Sequence, residues 1–166
     1  MPNAVLINGP IASGKTTVGL ALQILIPGSV FIDGDAHDAP DALSLTTRWT
    51  YALWRIHEAL RDALAAERSV IIAWPLRPPH HEFLRDAIHE YGGTMFCVTL
   101  CPPVEVVLTR RGRDLSGWEQ DRITQMYAEG YHTRPFSDVF IDNSEIDPAS
   151  TAQRILRALR DADAVP

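Results

Sequence analysis

The sequence has few cysteines, and their spacing limits what they can do. Cys97 and Cys101 are the only two among 166 residues, and they lie four residues apart in an apolar segment. On one strand they would be about 13 Å apart, which is too far for a disulfide. No further cysteine is present to complete a metal or redox site, so the pattern indicates reduced thiols in the protein interior.

Long apolar runs and an excess of basic residues are also lacking. No apolar run approaches the roughly 18 residues of a membrane span, and the short N-terminal apolar stretch lacks the basic start of a signal peptide. We therefore expect a cytoplasmic protein with no membrane partner. Fifteen Lys and Arg residues against 21 Asp and Glu give a net charge of −6. This balance argues against a nucleic-acid partner but permits a small anionic ligand in a local basic pocket.

What remains is the composition of an ordinary globular domain. The chain is 46% hydrophobic and 22% charged, so disorder over most of its length is not expected. The length suits a single domain spanning residues 1–166. The oligomeric state is left open between monomer and dimer.

Five short apolar segments alternate with amphipathic segments along the chain. The apolar segments are continuous rather than alternating, which is typical of strands buried on both faces of a parallel sheet. This alternation predicts an α/β sandwich of three layers. The expected strands are 4–8, 29–33, 69–74, 94–100 and 138–141, and the expected helices are 15–25, 42–66, 80–91, 104–111, 119–131 and 149–160.

Residues 9–16 match the pattern G-x-x-x-x-G-K-[ST], between a predicted strand and a predicted helix. In such a loop the glycines permit tight turns and the backbone N–H groups point at phosphate oxygens. Lys15 would reach the β- and γ-phosphates, and Thr16 would place its hydroxyl on Mg²⁺. The motif predicts ATP and Mg²⁺ as cofactors, bound by Gly9, Ala12, Ser13, Gly14, Lys15, Thr16 and Thr17.

A second carboxylate usually supports the metal in phosphate-loop proteins. The third predicted strand ends in Trp74 and offers none, but Asp33 and Asp35 follow the second strand. Because parallel strands end at the same sheet edge, both would face the γ-phosphate region. We expect Asp35 to accept the proton of an attacking hydroxyl or to hold a metal-bound water, with Asp33 nearer the strand on the substrate side. The alternative is a merely polar turn.

Three further residues follow those carboxylates. His37 is a candidate substrate contact, although a turn or surface role is the commoner one for such a histidine. Asp38 and Asp41 are better interpreted as N-caps of the long helix that follows.

Arg110 and Arg113 lie between two predicted helices, in a polar stretch with glycines at 112 and 117. This arrangement predicts a mobile lid at about 110–118, whose arginines contact ATP phosphates or stack on adenine. The alternative is a solvated basic cluster at a helix C-terminus.

A second group of residues is a candidate for binding the phosphate acceptor. Arg77 follows the third strand, and Arg48 lies early in the long helix; for each, an acceptor contact and a surface ion pair are equally plausible. The helical spacing of Trp49 favours a place in the core over a contact with the acceptor. Trp74 ends a strand at the open edge of the sheet, where a core role and an acceptor contact are about equally plausible. Arg134 and Asn143 are placed on the adenine side by topology alone.

Several segments together resemble a known family. They are VLINGPIASGKTT, FIDGDAHDAPDAL, SVIIAWPLR, TRRGRD and VFIDNSEIDPASTAQRIL. The chain resembles the small P-loop kinases related to nucleotide, shikimate and gluconate kinases, and most of all the chloramphenicol-phosphotransferase-like kinases. The resemblance implies a parallel sheet of order 2-3-1-4-5, ATP and Mg²⁺ as donor pair, and Asp35 as general base. Residues 42–66 lack the arginine spacing of shikimate and nucleoside-monophosphate kinases.

The sequence thus predicts an ATP-dependent kinase whose acceptor is a hydroxyl of a small molecule, such as an antibiotic or a metabolite. Lys15, Asp35, Arg110 and Arg113 are its expected catalytic residues, and Thr16 and Asp35 its expected metal ligands. Two alternatives stay open. One is a nucleoside or nucleotide kinase, and the other is a switch or resistance protein that binds ATP without transferring phosphate.

Overall fold

The computed structural model describes residues 3–37, 44–109 and 114–163. Within these ranges the chain forms one sheet of five parallel strands, in the order β2-β3-β1-β4-β5, which confirms the expected topology. In the central register, Ala4 of β1 lies opposite Val70 of β3 and Met95 of β4. The strands are β1 (Asn3–Asn8), β2 (Val30–Asp33), β3 (Val70–Ala73), β4 (Thr94–Leu100) and β5 (Val139–Ile141).

Helices connect the strands and cover both faces of the sheet. Within the same ranges they are α1 (Lys15–Leu25), α2 (Leu45–Ala65), α3 (Pro78–Glu90), α4 (Val104–Leu108), α5 (Gly117–Ala128) and α6 (Pro148–Asp163). All lie close to their predicted positions, although α4 is shorter than predicted. No helix in the part of the chain that the structure describes has the length and apolar character needed to cross a membrane.

The start of α2 differs from its prediction. Its N-cap is Ser44, whose hydroxyl accepts a hydrogen bond from the backbone N–H of Thr47 at 3.3 Å. Serine satisfies a free N–H at a helix start as well as aspartate does. The expectation that Asp38 or Asp41 caps this helix is therefore wrong, and both aspartates lie outside the described residues.

The hydrophobic core consists of two clusters, one on each face of the sheet. Side chains alternate along β1, so that Leu6 packs towards α2 and α3 while Val5 and Ile7 pack towards α1 and α6. Strand β3 is buried along its whole length, as its unbroken apolar sequence predicted. The three-layer architecture follows from this two-sided burial.

The two cysteines are unpaired thiols, as their spacing in the sequence predicted. Both thiols are free, with Cys97 buried in the sheet and Cys101 half-buried just beyond β4. Burial, together with the nearby Asp138 carboxylate, raises the pKa of Cys97 to about 12. The Cys97 thiol is therefore protonated and unreactive at neutral pH.

Asn8 connects three segments at the carboxyl edge of the sheet. Its side-chain amide donates hydrogen bonds to the Thr99 hydroxyl at 2.9 Å and to the Tyr131 carbonyl at 3.0 Å. Its carbonyl oxygen accepts a hydrogen bond from the backbone N–H of Leu76 at 2.8 Å. Because Asn8 is fully buried, these bonds hold the ends of β1, β3 and β4 in fixed relative positions.

Candidate active site

The loop between β1 and α1 has the backbone conformation that its glycines predict. Gly9 has φ +148°, and a Cβ there would lie 2.8 Å from the Leu100 carbonyl oxygen and 2.7 Å from the Ser13 hydroxyl. Gly14, with φ +96°, is the N-cap of α1, and Ala12 is left-handed at φ +59°. The loop is thus packed tightly against the end of β4 and leads directly into a helix N-terminus.

Lys15 is buried at the start of α1, and its Nζ donates a hydrogen bond to the Pro10 carbonyl at 2.8 Å. Burial lowers the pKa of its ammonium group to about 8, and the charges of Asp35 and Asp33 oppose that change. The cation of the loop therefore lies within electrostatic reach of both carboxylates that follow β2.

The other loop residues are arranged around this lysine. Ser13 is buried, and its backbone carbonyl accepts a hydrogen bond from the Asn143 side chain at 2.9 Å. Thr16 is half-buried and Thr17 exposed in the first turn of α1. Through this contact Asn143, which follows β5, supports the loop; its expected place on the adenine side stays a prediction.

Asp33 and Asp35 occupy different positions in the turn after β2. The Asp33 carboxylate accepts a hydrogen bond from the backbone N–H of Asp35 at 3.1 Å, which stabilises a short 3₁₀ turn, Gly34–His37. Asp35 itself is exposed and lines a cavity next to the phosphate-binding loop. The His37 side chain lies outside the described part of the structure.

That cavity, called here the acceptor cavity, has a volume of about 380 Å³. It lies next to the phosphate-binding loop, since Ile11 of that loop and Asp35 both contribute to its wall. Arg48, Trp49 and Trp74 also line it, so that several of the residues singled out in the sequence meet in one place. The full lining is Ile11, Asp35, Arg48, Trp49, Ala52, Trp74, Pro75, Trp118, Glu119, Arg122 and Met126.

Aromatic rings form one wall of the acceptor cavity. The rings of Trp49 and Trp74 are 5.0 Å apart at an angle of 42°, and His80 stacks on both, at 5.5 and 5.0 Å. Burial, with a contribution from Arg77, lowers the pKa of His80 to about 4. The His80 ring is therefore neutral at pH 7 and supports the two tryptophans by packing.

The predicted arginines are not all in one place. Arg48 lines the acceptor cavity, whereas Arg77 is outside its lining and lies with its guanidinium 4.8 Å above the Trp49 ring. Arg77 also donates a hydrogen bond to the Tyr131 hydroxyl at 3.0 Å. Arg134 packs over the ring of the same tyrosine, 4.1 Å from its centre. Arg110 and Arg113, the expected lid arginines, lie outside the described residues.

Helix α5 contributes residues that the sequence analysis did not identify. Trp118, Arg122 and Met126 all line the acceptor cavity. They are four residues apart, so they share one face of the helix. This spacing was a usable signal, but only the packing of α5 shows that the shared face points at a cavity.

Comparison with known proteins finds solved structures with the same fold but no match by sequence to a family model or a curated protein. A gluconokinase from Sinorhizobium meliloti superposes with a TM-score of 0.75 at 23% identity, covering 97% of this chain and 93% of that one. The chain has the fold of the small P-loop kinases.

Two further small P-loop kinase-fold structures illustrate the range of the similarity. Shikimate kinase from Acinetobacter baumannii, solved with shikimate, has a TM-score of 0.67 at 22% identity, covering 100% of this chain and 96% of that one. A tunicamycin resistance protein from Deinococcus radiodurans has a TM-score of 0.65 at 21% identity, covering 96% of each chain. At these identities the likeness concerns the fold.

The donor set at this edge of the P-loop fold suits Mg²⁺. Thr16 supplies a hydroxyl, and Asp33 and Asp35 supply carboxylates near Lys15. Among the described residues no three His, Cys, Asp or Glu side chains are close enough to form a metal cage. Mg²⁺ is typically held by one or two carboxylates together with phosphates and water, so the residues present fit it.

Gly34 is expected to be essential for the shape of the acceptor cavity. A Cβ at this position would lie 2.2 Å from the ring of Trp74, which is only 3% exposed and has little room to move. Gly34→Ala should therefore lower the free energy of unfolding by about 1–3 kcal/mol, the usual cost of overpacking. Thermal denaturation measures this loss. Gly117→Ala is the matched control, because a Cβ there meets nothing within 4 Å; equal stability of the two variants would contradict the prediction.

Proposed function

We propose that this protein is an ATP-dependent kinase that transfers the γ-phosphate to a hydroxyl group of a small molecule. The position of Asp35 carries the proposal. Its charge acts on Lys15 of the phosphate-binding loop, and its side chain also lines the acceptor cavity. A carboxylate between a phosphate site and an organic cavity suits phosphoryl transfer to an alcohol, because it can orient the acceptor hydroxyl and accept its proton.

The roles proposed for the donor side follow from the loop. The backbone N–H groups that the loop offers between Ile11 and Thr16 would surround the phosphates, and Lys15 would neutralise charge that develops on the transferred group. Thr16 and Asp35, with Asp33 close by, would hold Mg²⁺, which when bound neutralises phosphate charge and orients the oxygens. Arg110 and Arg113 are proposed to cover the phosphates.

On the acceptor side, Asp35 is proposed as the general base. An acceptor hydroxyl held in the cavity would pass its proton to a carboxylate oxygen of Asp35 as its own oxygen bonds to the γ-phosphorus, and ADP would leave. Arg48 and Trp74 would orient the acceptor from the cavity wall. Arg77 would act through Trp49, which it covers.

A nucleotide kinase is the second candidate, because two arginines, Arg48 and Arg122, line the same cavity. Two such cations would suit an acceptor phosphate. However, Arg122 is paired with Glu129 at 3.2 Å, and Glu119 and Asp35 bring negative charge to the same wall. The balance of charge in the cavity therefore favours an alcohol without a phosphate.

The test is acceptor-dependent release of ADP from Mg·ATP. The panel contains phenicols, aminoglycosides, nucleosides, nucleoside monophosphates and sugar acids, and Lys15→Ala is the blank. We expect turnover with at least one uncharged alcohol, absent in the blank. Turnover confined to nucleoside monophosphates would establish the second candidate. ATP binding without turnover on any acceptor would favour a nucleotide-binding switch and contradict the kinase.

A further inference from the structure

The outer side of α2 carries large aromatic side chains that face solvent. Trp54 is 57% exposed and Tyr51 is 44% exposed, and Phe83 of the neighbouring α3 is 38% exposed. His57 lies between two of these rings, with its centroid 5.6 Å from that of Trp54 and 5.0 Å from that of Phe83. The four rings form one continuous surface, called here the α2 patch, and an apolar patch of this kind is typical of an interaction site.

A groove with a volume of about 410 Å³ runs through the α2 patch. Its lining contains no charged side chain and consists of Thr47, Thr50, Tyr51, Leu53, Trp54 and Phe83. Because a cavity of about 150 Å³ already holds benzene, the groove has room for an indole ring. The α2 patch therefore presents an exposed indole and a groove beside it on the same surface. Such self-complementarity is what a contact between two identical surfaces requires.

The exposed side of α2 also has the residue spacing of a helix that packs against another helix. Its exposed and half-buried residues recur at alternating intervals of three and four, as Thr47, Thr50, Trp54, His57 and Arg61. If a second copy of α2 packs antiparallel with Trp54 near the two-fold axis, residues equally far before and after Trp54 face each other.

The charges along α2 favour this antiparallel register. Glu58 then faces Thr50 of the second copy, and Arg61 faces Thr47, so that each charged side chain meets a neutral one. A parallel pairing would instead set each of these charges against its own equivalent, which is unfavourable. Arg55 pairs with Glu58 at 2.9 Å within the same chain, so the flank of the patch adds little net charge.

The exposed aromatic area corresponds to a weak, reversible interface. Since aromatic side chains carry about 150–250 Å² each, the exposed fractions of Trp54, Tyr51 and Phe83 amount to about 250–300 Å² per chain. With the threonines and charged side chains around them, two copies would bury about 1,000 Å², which lies in the small-interface class.

We propose that the α2 patch binds a second copy of this chain, in an antiparallel dimer whose two-fold axis passes near Trp54. Each Trp54 ring packs in the groove of the other copy. The α2 residues that line the acceptor cavity, Arg48, Trp49 and Ala52, lie on the opposite side of the helix, so the dimer leaves that cavity open. This inference goes beyond the proposed function and does not depend on phosphate transfer.

Sedimentation equilibrium of the full chain tests the association directly. We expect a reversible equilibrium between monomer and dimer, with a Kd of about 1–100 µM as suits an interface of this size. Trp54→Glu removes the ring and sets two carboxylates near the axis, so it should raise the Kd at least about 30-fold, as the loss of a central interface residue does. Because Trp54 is exposed, the variant should keep its fold, which circular dichroism verifies.

Ile24→Glu is the matched control for this change. Ile24 is 81% exposed on α1, so the same kind of substitution is made on a helix surface outside the α2 patch. It should leave the Kd within about twofold, because surface substitutions away from an interface have small effects. A monomeric Ile24→Glu beside a dimeric Trp54→Glu would place the interface elsewhere and overturn the proposal.

Charge substitutions at Thr50 test the antiparallel register. Thr50→Lys brings a cation to Glu58 of the second copy and should lower the Kd about threefold, whereas Thr50→Glu should raise it by about the same factor. Both positions are exposed or half-buried in the single chain, so neither change should unfold it. Equal Kd values for the two variants would contradict the register.

Two further outcomes would overturn the dimer. One is a wild type that stays monomeric up to about 200 µM, above the affinity expected for this interface. The other is a monomeric wild type that binds the apolar dye 1-anilinonaphthalene-8-sulfonate, with binding lost in Trp54→Glu. That result would assign the groove to a small apolar ligand instead of a second copy.

Discussion

Asp35→Asn should lower kcat at least about 100-fold while the affinity for ATP in the absence of Mg²⁺ changes less than about threefold. The substitution keeps the size of the side chain and removes its ability to take a proton. General-base catalysis typically contributes a factor of about 10²–10⁴ in rate. Because the backbone N–H groups of the loop and Lys15 remain in place, nucleotide binding should persist. Steady-state kinetics on an accepted alcohol, together with calorimetric titration of ATP, measures both quantities.

Asp33→Asn is the matched control for this change. Asp33 bears the same charge two residues away, and its carboxylate accepts the turn hydrogen bond from the backbone N–H of Asp35. An asparagine oxygen can still accept that bond, although more weakly than a carboxylate does, so the turn should survive. We expect a loss of kcat below about tenfold. Full activity of Asp35→Asn, or a larger loss in Asp33→Asn, would remove Asp35 from the role of base.

Much of the fold could be predicted because its strands are buried on both faces. Residues 70–73 are apolar at every position, and a continuous apolar run of this length is typical of a central strand in a parallel sheet, which is buried on both faces. The start of α2 was harder to predict, since Ser44, Asp38 and Asp41 are all good N-caps and propensity does not choose among them. The strand order came from the family resemblance and not from the pattern of residues.

The candidate site was predictable where a local rule applies. The motif 9–16 fixes the phosphate-binding loop, and the rule that parallel strands end at one edge places Asp35 near it. The three residues of α5 depend on how distant helices pack, which a single sequence does not encode in any short pattern. Arg77 shows the same limit, because its contact with Trp49 requires the relative position of α2 and the segment after β3.

Lys15→Met should make the protein more stable and inactive. Burial lowers the pKa of Lys15 from its ordinary 10.5 to about 8, so keeping this ammonium charged inside the fold costs roughly 3 kcal/mol at pH 7. The loss of its hydrogen bond to the Pro10 carbonyl offsets about 1 kcal/mol of the gain. We expect a Tm higher by about 5 °C and no detectable turnover, measured by thermal denaturation and ADP release.

The pH dependence of that gain gives a sharper test. Below pH 8 the folded wild type carries the full cost of the buried charge, because the unfolded chain holds the same proton more tightly. As the pH rises from 8 towards 10.5, folded Lys15 loses its proton before the unfolded chain does, so the cost disappears. The difference in Tm between Lys15→Met and the wild type should therefore shrink over this interval.

Arg55→Met serves as the control, because it removes a positive charge that is exposed to solvent rather than buried. Arg55 is half-exposed and paired with Glu58 on the surface of α2, so its loss should change the free energy of unfolding by less than about 0.5 kcal/mol at any pH. A Lys15→Met variant no more stable than Arg55→Met at pH 7 would show that the buried lysine costs the fold nothing. The expected contrast instead makes Lys15 a residue kept for phosphate binding at the expense of stability.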